Sequence, residues 1–481
     1  VIDNPQLLTL SEQARLIREG SITSVELVQV HLDQISKLNP QLNSFIAVDP
    51  EGALQQAAEI DAALARGENP GPLAGVTLGV KDAVPAKGIP WTINSRLFEN
   101  RVPEDDPPVV TRLKNAGAIV IGKTNLNEFF SRPTESDLNP PPWNPWNPER
   151  MSVGSSSGSG AAVAARMVSA TIGVDGGGSA RLPTGAHNLY GIKPTHGLVS
   201  RLGTGRSEHS EICPIGLTAL DTALILESMV GHEPADDMSW AGDVPEYVSN
   251  IDADISGWRI GVPRAFIESA PNESEVMQGF ESFLVKLEEL GCDVVDIDLQ
   301  GMAEARAATF LILFSNSYQR HQKTVKTDWN TYGPQSRVNL LQGAFMSSTD
   351  LINAGDVGRA FKGYFSNLLQ DQNLTAIATP TSPFATAERS RRPGEHSRGI
   401  NACYTAPFNI SGHPSISVPV GFGEAGIPVG AMLTGELHDD LSLLQLSHAY
   451  DIATDWSSLM PNVKSRAPTP RGTEITRPGL Q

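Results

Sequence analysis

The stretch S-V-G-S-S-S-G-S-G-A-A, Ser152 to Ala162, is followed after a short apolar interval by V-D-G-G-G-S-A-R-L-P, Val174 to Pro183. A flexible glycine–serine linker carries no apolar run. Here Ala161-Ala162-Val163-Ala164-Ala165 follows the first cluster at once and reads as a buried helix. Three consecutive glycines before Ser179 leave backbone N–H groups uncrowded and free to point at a bound oxygen. An oxyanion hole beside a nucleophile is built that way.

Outward from these clusters, strand and helix signals alternate. Val76 to Val80 reads as a buried strand ending in Lys81-Asp82. A helix is predicted over 108–116, then a strand from Ala118 to Ile121 and a turn over Gly122-Lys123-Thr124-Asn125. Residues 9–38 read as two helices, the second with a Thr23/Glu26 capping box and a stop at Asn39-Pro40. A further helix covers about 51–65. Asn139 to Glu149, dense in proline and tryptophan, reads as an ordered irregular loop. Trp258 to Pro263, a helix over 273–290 and Cys292 to Asp298 form a strand–helix–strand unit. Residues 302–372 read as largely helical, strands return at Thr375–Thr379 and Ser415–Pro419, and a final helix covers 440–453. The alternation argues for an α/β fold.

Composition narrows the function class. The 481 residues are enough for a large core, and 40% hydrophobic with 19% charged residues is ordinary for a globular chain. A net charge of −18 argues against a broad nucleic-acid groove. Cys213, Cys292 and Cys403 are too few and scattered for a disulfide framework or a zinc site, and a reducing cytoplasm fits them. The apolar stretches fall short of the roughly 20 residues of a membrane helix. The N-terminus shows no basic region leading into an apolar one, so no signal peptide is expected.

Ser179 needs a group that takes its proton. His187, eight residues on, and His209 are histidine candidates, although G-G-S-A-R is not the G-x-S-x-G elbow. Lys81 is the other candidate, because burial would disfavour its charged form and lower its pKa. A neutral amine could then accept a proton relayed through a second serine. Taken singly, Lys81 reads as a strand cap and Ser155 as a turn residue.

Together the segments resemble the amidase signature family, whose amide hydrolases use a Ser–cis-Ser–Lys triad. Gly75 to Asp82 is similar to its G-[IV]-P-x-x-[VL]-K-D, Val153 to Gly160 to its G-G-S-S-G-G-S-A, and Asp175 to Pro183 to its D-x-G-G-S-x-R-x-P. The interval between Ser155 and Ser179 (179 − 155 = 24) is the family's. Gly122 to Phe129, Gly191 to Gly197, Thr379-Pro380-Thr381 and Thr405 to Asn409 with Ser415 to Pro419 carry the likeness over about residues 5–455. The resemblance implies a single large α/β domain with a central mixed twisted sheet covered by helices on both faces. It divides into an N-terminal helical segment (1–70), a signature core (71–230), the remainder of the fold (231–455) and a tail (456–481). Ser179 maps to nucleophile, Ser155 to the cis-peptide serine and Lys81 to base. The N–H groups of Gly176, Gly177, Gly178 and Ser179 map to the oxyanion hole. Phe129, Phe130, Ser131 and Cys213 map to the substrate side.

The implied activity is hydrolysis of a carboxamide, or a related anilide, hydrazide, carbamate or urea-type bond. Water and a small amide-type molecule are the expected partners, with no cofactor, metal, nucleic acid or membrane; family habit implies a homodimer. Two alternatives share the fold: the glutaminase-type component of a tRNA-dependent amidotransferase, which would feed ammonia to a partner, and a non-catalytic protein. A phosphate-cradling loop fits poorly, for neither G-x-x-x-x-G-K-[ST] nor a strand-following G-x-G-x-x-G is present.

The departures from the family pattern are Val153, Ser157, His187, Asn188, Ser210 and Cys213. Glu208, His209 and Glu211 make their segment polar. His187 is expected to pack beside the site, and Arg181 to hold the loop through a carboxylate such as Asp175 rather than to bind an anionic substrate. Trp91, Trp143 and Trp146 are expected to pack in core or loops.

Overall fold

Residues 2–131, 138–204, 209–385, 402–423 and 425–463 are described by a computed structural model. Its strands are β1 (Phe45–Val48), β2 (Thr77–Lys81), β3 (Ile119–Thr124), β4 (Ala170–Asp175), β5 (Tyr190–Lys193), β6 (Glu211–Gly216), β7 (Arg259–Val262), β8 (Asp293–Asp296), β9 (Ala376–Pro380), β10 (Ser415–Phe422) and β11 (Pro428–Thr434). They form one mixed sheet ordered β1-β3-β2-β4-β6-β5-β10-β11-β9-β7-β8. β2 runs parallel to β3 and β4, and β7 parallel to β8 and β9; the strands between them pair antiparallel. The fold is the single α/β domain that the resemblance implies.

Period-2 alternation assigns the two faces. Leu78, Val80, Val120 and Ile172 pack into one apolar cluster, which also takes the buried sides of helices Ser274–Glu289 and Asp440–Ile452. Ile119, Ile121, Cys213 and Ile215 face the other way, against helices Ser24–Leu42 and Ser157–Ala164. Helices thus cover both faces. No helix of the described residues is long and apolar enough to cross a membrane.

Two of the boundaries that differ from the sequence reading have a clear physical cause. Gly122 to Thr124 of the expected turn form the second half of β3, because Ala47 and Val48 of β1 pair with Lys123 and Gly122 while β2 pairs on the opposite edge. Backbone groups with ladder partners on both sides do not turn. The helix begun at the Thr23/Glu26 capping box runs through Pro40 to Leu42. So near its end, the proline removes one N–H without removing the packing of Leu38 and Leu42. Left-handed Asn43 ends it, and Asn39 caps the following chain by bonding both the N–H and the C=O of Phe45.

Candidate active site

Lys81 closes β2 in the middle of the parallel segment, wholly buried on the face opposite Val80. Its Nζ reaches Ser155 Oγ at 2.8 Å, Ser156 Oγ at 2.8 Å and the Val174 carbonyl at 3.2 Å. Burial pulls its pKa down to about 7, with the charge of Asp175 acting weakly in the other direction. Lys81 is therefore an amine held close to neutrality and aimed at two hydroxyls.

The first glycine–serine cluster forms a tight loop that runs directly into helix Ser157–Ala164. The Gly154–Ser155 peptide bond is cis. All eight residues of the helix are buried, which small side chains allow. A Cβ on Gly158 would stand 2.4 Å from the Ser44 carbonyl, so only glycine fits that crossing. Ser152 Oγ donates to the Ser157 carbonyl at 2.7 Å, closing the loop, and the Ser156 N–H donates to the Ser179 carbonyl at 2.9 Å. The two clusters thus meet through the backbone, with Ser155 and Ser156 both on the Lys81 amine.

The second cluster leaves β4 at Asp175, the organiser of the loop. Asp175 Oδ1 accepts from the Gly178 N–H at 2.7 Å, and Oδ2 accepts from the N–H groups of Ala180 and Arg181 at 3.1 and 3.2 Å. The Arg181 guanidinium adds a bidentate pair at 3.0 and 2.9 Å, and Asn409 Nδ2 donates to Oδ1 at 3.0 Å. Burial pushes this carboxyl up, but Arg181 and the surrounding donors outweigh it and hold it well below the usual carboxylate range. Arg181 is itself wholly buried, so it holds the loop as expected. From the far side, Thr405 Oγ1 donates to the Gly177 carbonyl at 2.9 Å. Gly178 has φ 115°, a left-handed conformation, which lets the chain double back over Asp175. Ser179 is partly exposed at the turn.

One expected donor is corrected by this geometry. The Gly178 N–H is spent on Asp175, so it is not free for a substrate oxygen. The N–H groups of Gly176, Gly177 and Ser179 donate to nothing among the described residues.

The expected substrate-side residues separate. Phe130 is 45% exposed, and its ring centroid lies 5.4 Å from the Lys81 amine, so it faces the site. Phe129 turns away into a cluster with Tyr332 and Leu340. Ser131 is buried and accepts from Ser336 Oγ at 3.3 Å. Cys213 lies inside β6 with no exposed surface and Sγ directed to the Glu211 carbonyl, so it packs rather than lines a pocket. Burial accordingly pushes its thiol up. Ser210 Oγ lies against Gly176, 2.5 Å from where a Cβ would stand, and the His209 carbonyl accepts from Asn409. Glu208 falls outside the described residues. Asn188 donates to the Trp456 carbonyl. The tryptophans pack: Trp143 in the core, Trp146 against Phe422 and Trp91 under the Arg101 guanidinium.

His187 is wholly buried, with both ring nitrogens beside polar atoms. Nδ1 lies 2.6 Å from the Pro183 carbonyl and Nε2 lies 2.9 Å from Ser152 Oγ. It fastens the serine loop to the helix after Ser179, and its Nε2 faces Ser152. Replacing it with alanine is expected to cost roughly 2–4 kcal/mol of stability through the cavity and lost hydrogen bonds. Turnover well below the melting temperature should stay within about tenfold of wild type, a barrier change under about 1.4 kcal/mol. Unchanged urea stability with abolished turnover would instead make His187 the base.

Sequence reasoning missed Ser156, Thr405 and Asn409 as parts of the site. Ser156 was legible as the second hydroxyl beside Ser155. The other two stand in the quoted Thr405 to Asn409 segment, but no local pattern says which loop they clasp.

An Amidase family model matches residues 26–444. The A subunit of glutamyl-tRNA(Gln) amidotransferase from Roseiflexus sp. (strain RS-1) is 35% identical over 489 aligned positions, covering 95% of this chain and 98% of that protein. Its counterpart from Thermosynechococcus vestitus is 33% identical, with 94% and 99% coverage. Among solved structures, the Thermotoga maritima protein of the same name superposes with a TM-score of 0.80 at 29% identity, covering 97% of this chain and all of that one. A chain from a vestigial complex linked to the origins of an s-triazine catabolic enzyme gives a TM-score of 0.86 at 25% identity, covering 95% of this chain and all of its own. On this match of sequence and fold across nearly its whole length, the chain belongs to the amidase signature family.

Proposed function

We propose that this protein hydrolyses a carbonyl–nitrogen bond through an acyl-enzyme on Ser179, with Ser155 and Lys81 as its proton relay. The observation that carries the reading is the buried Lys81 amine, 2.8 Å from Ser155 Oγ with no carboxylate accepting from it among the described residues. A neutral amine has two hydrogens and one lone pair. The Val174 carbonyl can only accept, so it takes one hydrogen. Ser156, within 3.4 Å of the same carbonyl, can donate there and accept the second. The lone pair is then left for the Ser155 hydroxyl.

In this mechanism Ser179 Oγ forms a bond to the carbonyl carbon while its proton passes to Ser155 and the Ser155 proton to Lys81. The oxyanion is received by the N–H groups of Gly176, Gly177 and Ser179. Collapse breaks the C–N bond, and the relay run backwards protonates the departing nitrogen. Water then attacks the ester by the same route and frees the acid and Ser179.

The protonation state of Lys81 gives the pH test. Below about 7 the amine is an ammonium and cannot accept a proton, so kcat/KM should climb with pH along a limb centred near that value. A limb near an ordinary lysine's 10.5 would count against Lys81 as the base.

The relatives favour a second reading. The proteins matched over nearly full length are each named as one component of a glutamyl-tRNA(Gln) amidotransferase. If this chain shares their assembly, its amide is that of glutamine, its ammonia goes to a partner, and the expectation of no nucleic acid fails. The chemistry at Ser179 is common to both readings. Ammonium release by the isolated chain from L-glutamine and from simple amides, with and without added glutamyl-tRNA and partner proteins, separates them.

A further inference from the structure

We propose that the amide cleaved at Ser179 carries an apolar group on its carbonyl, aromatic or branched aliphatic, and not the charged head of an amino acid. The inference rests on the acyl-enzyme reading above and concerns what surrounds the oxyanion loop. Helix Met302–His321 lays Phe310 and Leu313 over that loop. A Cβ on Gly177 would stand 3.7 Å from the Phe310 ring and from Leu313, and one on Gly176 would stand 3.3 Å from Leu313. Phe310 belongs to an apolar cluster with Leu182, just beyond the nucleophile, and with Val153 of the Ser155 loop. Phe130 closes the Lys81 side. Five apolar side chains therefore come from both glycine–serine loops, the helix above them and the segment after β3.

The two charges of the loop itself are already committed to each other. Asp175 is consumed by three backbone N–H groups, Arg181 and Asn409. Arg181 is wholly buried behind the loop. An ammonium or carboxylate held directly against the Phe310 ring and the Leu313 side chain would lose hydration to apolar surface, a heavy cost. An apolar group at the same place gains burial instead.

Val153 gives the idea its sequence anchor. The family pattern has glycine there, and the added side chain joins the Phe310 and Leu182 cluster. The departure thus adds apolar surface to the loop that bears Ser155.

The test compares benzamide, acetamide and L-glutamine as substrates of the full chain. p-Nitrophenyl benzoate and p-nitrophenyl acetate serve as activated esters that report acylation even where an amide leaves slowly. The benzoyl compounds should exceed the acetyl compounds and glutamine by about 10- to 100-fold in kcat/KM, the scale of a filled apolar pocket. Leu313→Gln should cut the ratio of benzoyl to acetyl kcat/KM to within a few fold of one, and Phe310→Ala repeats the test should Leu313→Gln fail to fold. Glutamine or acetyl substrates matching or beating benzoyl ones, with Ser179→Ala inactive, would overturn the apolar pocket and leave the acyl-enzyme standing. No acylation by any ester, or turnover surviving in Ser179→Ala, would overturn both.

Discussion

Changing Ser179 to alanine is expected to lower turnover by about 10⁴-fold or more while leaving the urea midpoint unchanged. The scale follows from cooperation within the proposed relay. Without Oγ no covalent bond forms to the substrate carbon, and the amine at Lys81 then has no proton to receive. The free N–H groups of Gly176, Gly177 and residue 179 survive the change, so binding of substrate should persist. Single-turnover measurement with an activated ester checks this, since wild type should show a burst of p-nitrophenolate and the variant none. A variant keeping more than about a tenth of the wild-type rate would remove Ser179 from the nucleophile's place.

Arg181→Met is expected to cost about 3–5 kcal/mol, because it strands a buried carboxylate rather than removing a buried pair. Asp175 would keep its backbone donors and Asn409 but lose both guanidinium bonds. Urea unfolding monitored by fluorescence measures the loss. The pH dependence has a definite sign. The folded-state carboxyl is depressed below its ordinary 3.8, so its contribution is complete above that value and is lost as pH falls through the folded-state pKa. The penalty of Arg181→Met should therefore be full at neutral pH and shrink on acidification. A double variant, Asp175→Asn with Arg181→Met, should recover part of the loss, and a double variant less stable than Arg181→Met alone would contradict this account.

Much of this was legible because the informative residues are adjacent in the chain. The strand ending at Lys81, the helix carrying Ala161 to Ala164 and the carboxylate opening the second cluster each announce themselves within ten residues. The sheet was harder to read. β5, β6 and β11 are buried along their whole length, and with Lys193, Glu211, Pro214 and Gly430 among their residues they carry neither an alternation nor an unbroken apolar run to mark them. β1 is four residues long and owes its pairing to β3. Phe129 and Phe130 illustrate the limit at the site. Neighbours in sequence and both at positive φ, they point one into the core and one at the amine, a division set by Tyr332 and Leu340 from far along the chain.

The clasp of Thr405 and Asn409 on the second loop bears on when the protein becomes competent during its own synthesis. Every side chain of the proposed relay has left the ribosome once residue 179 is out, yet Gly177 and Asp175 wait for partners more than two hundred residues later. A nascent or prematurely terminated chain would carry the reactive groups without the frame that aims them. Labelling with an acyl-type serine probe reports this directly: a chain stopped at residue 400 should stay unlabelled, and labelling of it would show that the loop sets itself. Placing these braces more than two hundred residues after the loop defers the proposed chemistry until residue 409 has been made.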